Sequence, residues 1–147
     1  MKYHINELAM PAKDIYHDAV KQALIKDGWL IVAENYMLEY GGDKLYPDLA
    51  AEKSIAAEQQ GRKIIVEVKS FLGRSFINDL EGAVGQYIIY RNVLQAKKSD
   101  YELYLAVADT VYKNGFQKKL AQLIVESNGV KLLIFDHKME VIERWIN

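Results

Sequence analysis

Charged residues inside the most apolar strand-like segment constrain this chain more than any other sequence feature. Residues 63–69 read Lys-Ile-Ile-Val-Glu-Val-Lys, and Asp48, in a Pro-Asp pair, lies nineteen residues before Glu67. Because side chains alternate along a strand, Glu67 and Lys69 are predicted on one face and the valines on the other. Charge in an apolar strand is costly unless something compensates it. The pattern therefore predicts a compensating ligand or ionic partner beside these side chains.

Two carboxylates and an ammonium group on one side of a strand suit metal-assisted attack on a phosphodiester. Mg²⁺ prefers hard oxygen ligands, which Asp48, Glu67 and the backbone carbonyl of Val68 are predicted to supply, with Mn²⁺ as a substitute. Lys69 is predicted to stabilise developing negative charge or to orient the attacking water. The ordinary alternative is a solvent-facing Glu and Lys on a half-exposed strand, which need no function.

The length and composition predict a single domain. The chain has 147 residues and no cysteine, which excludes disulfides, thiolate zinc sites and cysteine nucleophiles. We interpret residues 10–147 as one domain and residues 1–9 as an N-terminal extension. The sequence contains neither an apolar run long enough to span a membrane nor the core of a signal peptide, so a cytoplasmic location is expected.

The charge balance limits how this chain can bind nucleic acid. Nineteen Lys and Arg residues face twenty Asp and Glu residues, for a net charge of −1. Binding through phosphate neutralisation usually requires net basicity or a basic stripe. The best local candidates, residues 95–98 and 113–119, are more typical of solvated helix faces than of a DNA-binding surface.

Apolar periodicity predicts helices that alternate with strands. A first helix is predicted over residues 14–27 with a stop at Gly28, and a long helix over 75–97 with Ser75 as N-cap. Residues 52–60 are ambiguous and are interpreted as an extended arm with a distortion. The remaining predictions are strands at 29–33, 36–40, 63–71, 102–107, 130–135 and 139–145, and a helix at 113–127. This order predicts an α/β fold with a mixed β-sheet flanked by helices, built as an αβββαβ core plus a C-terminal helix and hairpin.

The long helix carries a polar pair. Gln86 and Tyr90 are four residues apart, so they share one helix face. A glutamine beside an apolar stripe can hydrogen-bond a catalytic carboxylate, a metal-bound water or a DNA phosphate. The alternative is a surface glutamine next to a tyrosine at the edge of the core.

These features resemble the PD-(D/E)XK nuclease superfamily. The Pro-Asp pair, the Glu-x-Lys strand and the Gln-x-x-x-Tyr helix carry that likeness. The chain resembles the XisH family more closely, over nearly its whole length from residue 10 onward. The stretches that carry this closer resemblance are residues 10–24, 51–53, 66–71, 85–86 and 130–133.

The resemblance implies a restriction-endonuclease-like fold and a role in DNA rearrangement. XisH proteins are excision controlling factors of the cyanobacterial fdxN element. The expected role is therefore to assist a site-specific recombinase during heterocyst differentiation, together with an XisI-type partner. The resemblance places Asp48, Glu67 and Lys69 at metal and catalytic positions, with Gln86 and Tyr90 as accessory residues of the helix motif.

The nuclease superfamily often has a further acid on the first helix, and its equivalent here is open. His17 and Asp18 are the candidates, and Asp14 is a weaker one. A helix histidine is more often structural than a ligand.

Three functions are consistent with the sequence. The first is a metal-dependent DNA endonuclease, and the second is a non-catalytic accessory factor that binds DNA or protein. The third is an interaction protein whose exposed strand edge pairs two chains into a homodimer.

Overall fold

A mixed six-stranded sheet lies at the centre of the protein. The structure, a computed structural model, describes residues 13–54 and 61–147. Its elements, numbered in chain order, are α1 (His17–Lys26), β1 (Leu30–Glu34), β2 (Leu38–Tyr40), β3 (Asp43–Leu45), β4 (Leu49–Lys53), β5 (Arg62–Val68), α2 (Phe76–Ala96), β6 (Glu102–Ala108), α3 (Asp109–Lys113), a 3₁₀ turn (Gly115–Gln117), α4 (Lys119–Asn128), β7 (Leu132–Asp136) and β8 (Val141–Ile146).

The sheet has the order β1-β4-β5-β6-β7-β8. The three central strands β5, β6 and β7 run parallel, whereas the outer pairs are antiparallel. The parallel neighbours are joined by crossovers that contain α2 and α4, as parallel strands require. The α/β prediction, a mixed sheet flanked by helices, is therefore confirmed.

Both faces of the central strands are buried, and alternation sorts their side chains between two cores. The face toward α2 buries one set of residues and the face toward α1 the other. Glu67 follows Ile65 on the α2 face by the two-residue period of a strand. The α2 face includes Ile65, Leu105 and Ile134, and the α1 face includes Ile64, Tyr104 and Phe135.

The strands before Asp48 pair differently from the predicted run of consecutive strands. The strand predicted at 36–40 lies outside the main sheet, because β2 and β3 form a separate two-stranded hairpin. Gly41 and Gly42 connect them with φ of +61° and +89°, a turn conformation that glycine adopts without steric cost. β1 pairs instead with β4. The three-stranded part of the core is therefore β1, β4 and β5.

The strand predicted at 63–71 ends at Val68. Phe71 has a φ of +55°, a left-handed conformation that cannot continue a strand. Of the ambiguous segment 52–60, Glu52 and Lys53 belong to β4. The rest of that segment beyond Ser54, like the N-terminal extension 1–9, lies outside the described residues.

The long helix agrees closely with its prediction. α2 spans Phe76–Ala96, and the Ser75 hydroxyl accepts a hydrogen bond from the Asn78 backbone N–H at 3.2 Å. Ser75 is thus the N-cap. Within residues 13–54 and 61–147, none of the helices combines the length and the apolarity that crossing a membrane requires.

The helix predicted at 113–127 is wrong in its first third. Asn114, with φ −103° and ψ −86°, interrupts the helix between α3 and the 3₁₀ turn. Gly115 packs so closely on Phe76 that a Cβ there would lie 2.3 Å from the ring. The local apolar pattern is helical, but packing against α2 breaks it into α3, a 3₁₀ turn and α4. The hairpin of β7 and β8 is confirmed.

Tyr87 ties α2 to the two strands beneath it. Its hydroxyl donates to the Leu103 carbonyl at 3.0 Å and accepts from the Lys131 N–H at 3.1 Å, and the residue is 1% exposed. Tyr87→Phe is expected to lower the free energy of unfolding by about 1–3 kcal/mol, because buried backbone groups lose their partner. Urea unfolding measures this effect. Tyr40→Phe, at an exposed tyrosine, serves as the control, and equal losses in both variants would contradict the assignment.

Candidate functional site

Asp48 and Glu67 are held side by side by two hydrogen bonds between their carboxylates and the backbones of the facing strands. In the antiparallel pair β4–β5, Leu49 lies opposite Val66, so the two acids meet at the end of the ladder. The Asp48 N–H donates to Glu67 Oε1 at 3.2 Å, and the Val68 N–H donates to Asp48 Oδ2 at 2.7 Å. Both residues are buried, at 6% and 5% exposure. The convergence of the two acids predicted from the sequence is thus present.

The loop before β4 fixes the position of Asp48. The Asp48 carbonyl accepts from the Asn35 N–H at 2.8 Å, and the Pro47 carbonyl accepts from the Tyr36 N–H at 2.8 Å. The end of β1 therefore holds the Pro-Asp pair against β5.

The burial of two carboxylates together changes their protonation. Burial, and then the neighbouring Asp48, raise the pKa of Glu67 to about 8, although Lys69 acts in the opposite direction. Without a further cation, the Glu67 carboxyl group therefore carries a proton at neutral pH. A bound divalent cation would favour its ionised form.

Lys69 lies at the open side of the acid pair. Its Nζ is 3.6 Å from Glu67 Oε2, and its side chain is 30% exposed. Its backbone N–H donates to the Ala106 carbonyl at 3.1 Å, so the main chain is still anchored to β6. The ammonium group thus reaches both the buried acid and the solvent.

His17 lies on the other side of Asp48. It is 1% exposed, its Nε2 is 2.8 Å from Glu34 Oε1, and its Nδ1 is 3.7 Å from Asp48 Oδ1. Asp48 raises the pKa of His17, burial opposes this, and Glu34 adds to the increase. Lys21 holds the other Glu34 oxygen at 3.0 Å. A charged network on α1 and β1 therefore extends from the acid pair.

Sequence reasoning missed Glu34. His17 and then Lys21 lower the pKa of Glu34, which favours its ionised form. The available signal was a carboxylate at the end of a strand-like apolar run, the same signal that identified Glu67.

The two candidates on the first helix, His17 and Asp18, differ in their surroundings. Asp18 pairs with Lys13 at 3.0 Å and its side chain is 69% exposed. One residue along a helix rotates a side chain by about 100°, so Asp18 faces solvent while His17 faces the core. One carboxylate oxygen of Asp18 still lies within 4.8 Å of ligand atoms of His17 and Glu34.

Asp14, the weaker candidate, reaches the end of β5. Its Oδ2 accepts from the Ser70 N–H at 3.0 Å, and its Oδ1 accepts from the Tyr16 N–H at 2.9 Å. It precedes α1 rather than belonging to it, so the helical rotation does not turn it away from the sheet.

Gln86 and Tyr90 share a face of α2, as their spacing predicts. Tyr90 is 6% exposed, and burial, then Glu67 and Asp48, raise its pKa. It therefore lies near the acids, on the core side. Among the described residues, the buried Gln86 Oε1 has no hydrogen-bond partner.

A cleft of about 530 Å³ opens beside Lys69. We call it the Lys69 cleft. It lies between the β5–α2 connection and the first half of α2, and the Gln86 side chain is part of its wall. Its lining comprises Asp14, Lys69, Ser70, Phe71, Leu72, Gly73, Asn78, Asp79, Gly82, Ala83 and Gln86.

The acid pair is suited to a divalent cation. Two buried carboxylates repel each other, and His17 Nδ1, buried and without a hydrogen-bond partner among residues 13–54 and 61–147, lies 3.7 Å from Asp48 Oδ1. The chemistry of these donors fits a hard cation such as Mg²⁺ or Mn²⁺.

The fold and site together define an α/β protein with a buried acid pair and a lysine at the end of a central strand. The family model described as XisH protein matches residues 10–143. The chain therefore belongs to the XisH family, as its sequence predicted.

Two crystal structures are similar to this protein. An XisH family protein from Nostoc punctiforme is 43% identical, with a TM-score of 0.83 over 91% of this chain and 100% of that one. An fdxN element excision controlling factor protein from Anabaena variabilis is 44% identical, with a TM-score of 0.82 over 92% of this chain and 100% of that one. A comparison with curated proteins gave no match.

Proposed function

We propose that this protein is an excision controlling factor of the fdxN element whose acid pair forms a nuclease-like, metal-dependent site. The excision role is supported by the Anabaena variabilis relative, which is described by that function and is matched over its whole length. The nuclease-like site is supported by one observation above all: Glu67 accepts from the Asp48 N–H, and Asp48 accepts from the N–H of the neighbouring Val68, beside Lys69.

The arrangement of elements also supports a restriction-endonuclease-like assignment. α1, the three strands β1, β4 and β5, then α2 and β6 follow the αβββαβ order of that core. In this proposal Asp48, Glu67 and the Val68 carbonyl hold Mg²⁺, or Mn²⁺ in its place. When bound, the cation supplies charge neutralisation and activates water for attack on a phosphodiester.

The residues around the acid pair have distinct roles in the proposal. Lys69 stabilises negative charge that develops on the phosphate. His17, held by Glu34, keeps Asp48 in place on the side away from the cleft. Tyr90 supports the acids from the core, and Gln86 faces the substrate side.

A second function, that of a non-catalytic accessory factor, is favoured by the charge of the surface. Net charge is −1, and many lysines of the described residues lie beside acids, which leaves less positive charge for DNA phosphates. In this alternative an XisI-type partner and the site-specific recombinase supply the DNA contacts. The lysines that lie beside acids form the ion pairs Lys13–Asp18, Lys21–Glu34, Lys53–Asp27, Lys63–Asp100, Lys113–Asp109 and Lys131–Glu102.

Asp48→Asn is the variant that tests the nuclease-like site. Incubation with single-stranded and supercoiled DNA and Mg²⁺ or Mn²⁺ is expected to give cleavage with the wild type and none with the variant, because the amide is a weaker cation ligand. Asparagine can still accept the Val68 N–H, so the fold is retained. Calorimetric titration with Mn²⁺ is expected to show the same loss of binding.

Asp100→Asn is the matched control, since its side chain is 74% exposed at the other end of the sheet. Equal cleavage by wild type and Asp48→Asn would overturn the site. A wild type that cleaves nothing, yet shifts labelled DNA at low salt only with an XisI-type partner, would establish the accessory function instead.

A further inference from the structure

One side of the Lys69 cleft is formed by a glycine that the packing of the fold does not require. Gly82 lies in the middle of α2, where glycine is less favourable than alanine. A Cβ at this position would meet no heavy atom within 4 Å, and its φ is not positive. Neither packing nor backbone conformation requires glycine here, and the missing side chain leaves open space on the cleft side of the helix.

Gln86 provides an unused hydrogen-bonding group in the same wall. Its Oε1 is buried and has no partner among the described residues. Buried polar atoms without partners are costly and uncommon in folded proteins. Because Gln86 also lines the cleft, a rotation of its side-chain amide would bring this oxygen to a ligand N–H donor.

The charges lining the cleft decide which part of a nucleic acid fits. Asp14 and Asp79 contribute carboxylates, and each is held by a backbone N–H, from Ser70 and Gly73 respectively. Such a lining repels a phosphate but accepts hydrogen bonds from a neutral base edge. The ammonium group of Lys69 lies at one side of the cleft, where the phosphate of the same nucleotide would be attracted.

The aromatic part of the lining is half-buried and packs against Phe76 and Phe116. Phe71 lines the cleft, and its backbone holds a left-handed φ of +55°, which is uncommon for a bulky residue and is found where the surroundings enforce it. The next residue, Leu72, is 61% exposed. Stacking of a base on an aromatic ring, combined with a positive charge at the phosphate, is a common way for proteins to bind unpaired nucleotides.

We propose that the Lys69 cleft receives one unpaired nucleotide, with its base edge on Gln86 and its phosphate beside Lys69. The inference rests on the proposed nuclease-like function and names its substrate class. A base in a duplex is stacked and paired and cannot enter such a cleft without being extruded. The preferred substrate is therefore single-stranded or unpaired DNA rather than intact duplex.

Gly82→Leu tests the cleft without disturbing the fold. The leucine fills the empty space beside the helix, and leucine favours helix more than glycine does. Binding is measured by fluorescence anisotropy with a labelled single strand of about twelve nucleotides, a length within the range that one binding domain covers. Gly82→Leu is expected to bind it about tenfold more weakly than wild type, which is the order expected for the loss of one stacked base. Wild type is expected to bind the matching duplex at least about tenfold more weakly than the single strand.

Gly85→Leu is the matched control. Gly85 lies on the same helix, and a Cβ there would likewise meet no heavy atom within 4 Å, but this residue lines a different groove, with Ile77 and Leu120. Its single-strand affinity is expected to equal that of wild type. Gln86→Leu, which keeps much of the side-chain size but removes the amide, is expected to weaken binding as Gly82→Leu does.

The outcomes separate this inference from the proposed function. Binding by Gly82→Leu equal to wild type, or tighter binding of duplex than of single strand, would overturn the nucleotide cleft even if cleavage is observed. If the wild type cleaves no DNA but Gly82→Leu still weakens single-strand binding, the proposed nuclease function is overturned and the proposed nucleotide cleft stands.

Discussion

Replacing Lys69 by methionine is expected to lower the rate of metal-dependent DNA cleavage by about two to three orders of magnitude. This is the usual loss when a preorganised group that stabilises developing charge is removed. The Lys69 ammonium group is 3.6 Å from Glu67 and borders the Lys69 cleft. Methionine keeps much of the side-chain length, so the loss reports on charge rather than on packing.

Cation binding by Lys69→Met is expected to stay within a few-fold of wild type when measured at about pH 9. Lys69 lowers the pKa of Glu67, so its removal favours the protonated acid, and high pH suppresses that side effect. The comparison requires cleavage rates and Mn²⁺ calorimetry at the same pH. Such a split between rate and affinity identifies a residue that acts on the substrate rather than on the cation.

Lys63→Met is the matched control for this experiment. Lys63 lies near the start of β5, on the face that the alternation also assigns to Lys69, and it pairs there with Asp100 at 3.5 Å. Its loss is expected to leave cleavage unchanged. If Lys69→Met cleaved DNA at the wild-type rate, Lys69 would have no part in the reaction.

Glu67→Gln is expected to stabilise the cation-free protein at high pH while abolishing cation binding. The pKa of Glu67 is about 8 in the folded protein, against 4.5 for an ordinary glutamate. Between these values the folded state binds more protons than the unfolded state, so the wild type loses stability as pH rises from about 4.5 to 8. Glutamine imitates the protonated acid and does not titrate.

The two unfolding curves should therefore coincide below about pH 4, diverge as the pH rises from about 4.5 to 8, and keep a constant separation above about pH 8. The expected difference is several kcal/mol in favour of Glu67→Gln, because each pKa unit corresponds to about 1.4 kcal/mol. Urea unfolding in the presence of a chelator measures it. His17, whose pKa is also raised, contributes to both curves, and their difference removes most of its effect.

Added Mg²⁺ should narrow the stability difference between the wild type and Glu67→Gln at about pH 9. A cation that binds only the folded wild type stabilises it by mass action and leaves Glu67→Gln unchanged. The same substitution at Glu81, exposed on α2, provides the control and should alter neither curve. Parallel curves for wild type and Glu67→Gln at all pH values would show that the acid pair is not electrostatically strained.

The elements that the sequence predicted best are those whose signals are local. The start of α2 depends on the Ser75 side chain and its own helix, and the hairpin of β7 and β8 depends on a short turn between two apolar segments. By contrast, the separate hairpin of β2 and β3 and the break at Asn114 arise from contacts between distant segments. Local periodicity contains no information on which strand pairs with which.

The residues of the candidate site also fall into those that local sequence signals predict and those that depend on distant contacts. The residue types at Asp48, Glu67 and Lys69, with the alternation of β5, were enough to predict two acids and a lysine in one place. The roles of Glu34 and Asp14 were not accessible, because they act through His17 and through the Ser70 backbone, which lie 17 and 56 residues away in the chain.

The amino-acid sequence alone determined the family, the α/β class and the residue types of the acid pair, since these reside in residue types and short-range patterns. Only the tertiary structure decided that Glu67 is buried against Asp48, that this raises the pKa of Glu67, and that a cleft opens between Lys69 and Gln86. The physical reason is that burial, electrostatic coupling and open space depend on distances between segments remote in the chain, and these distances exist only after packing.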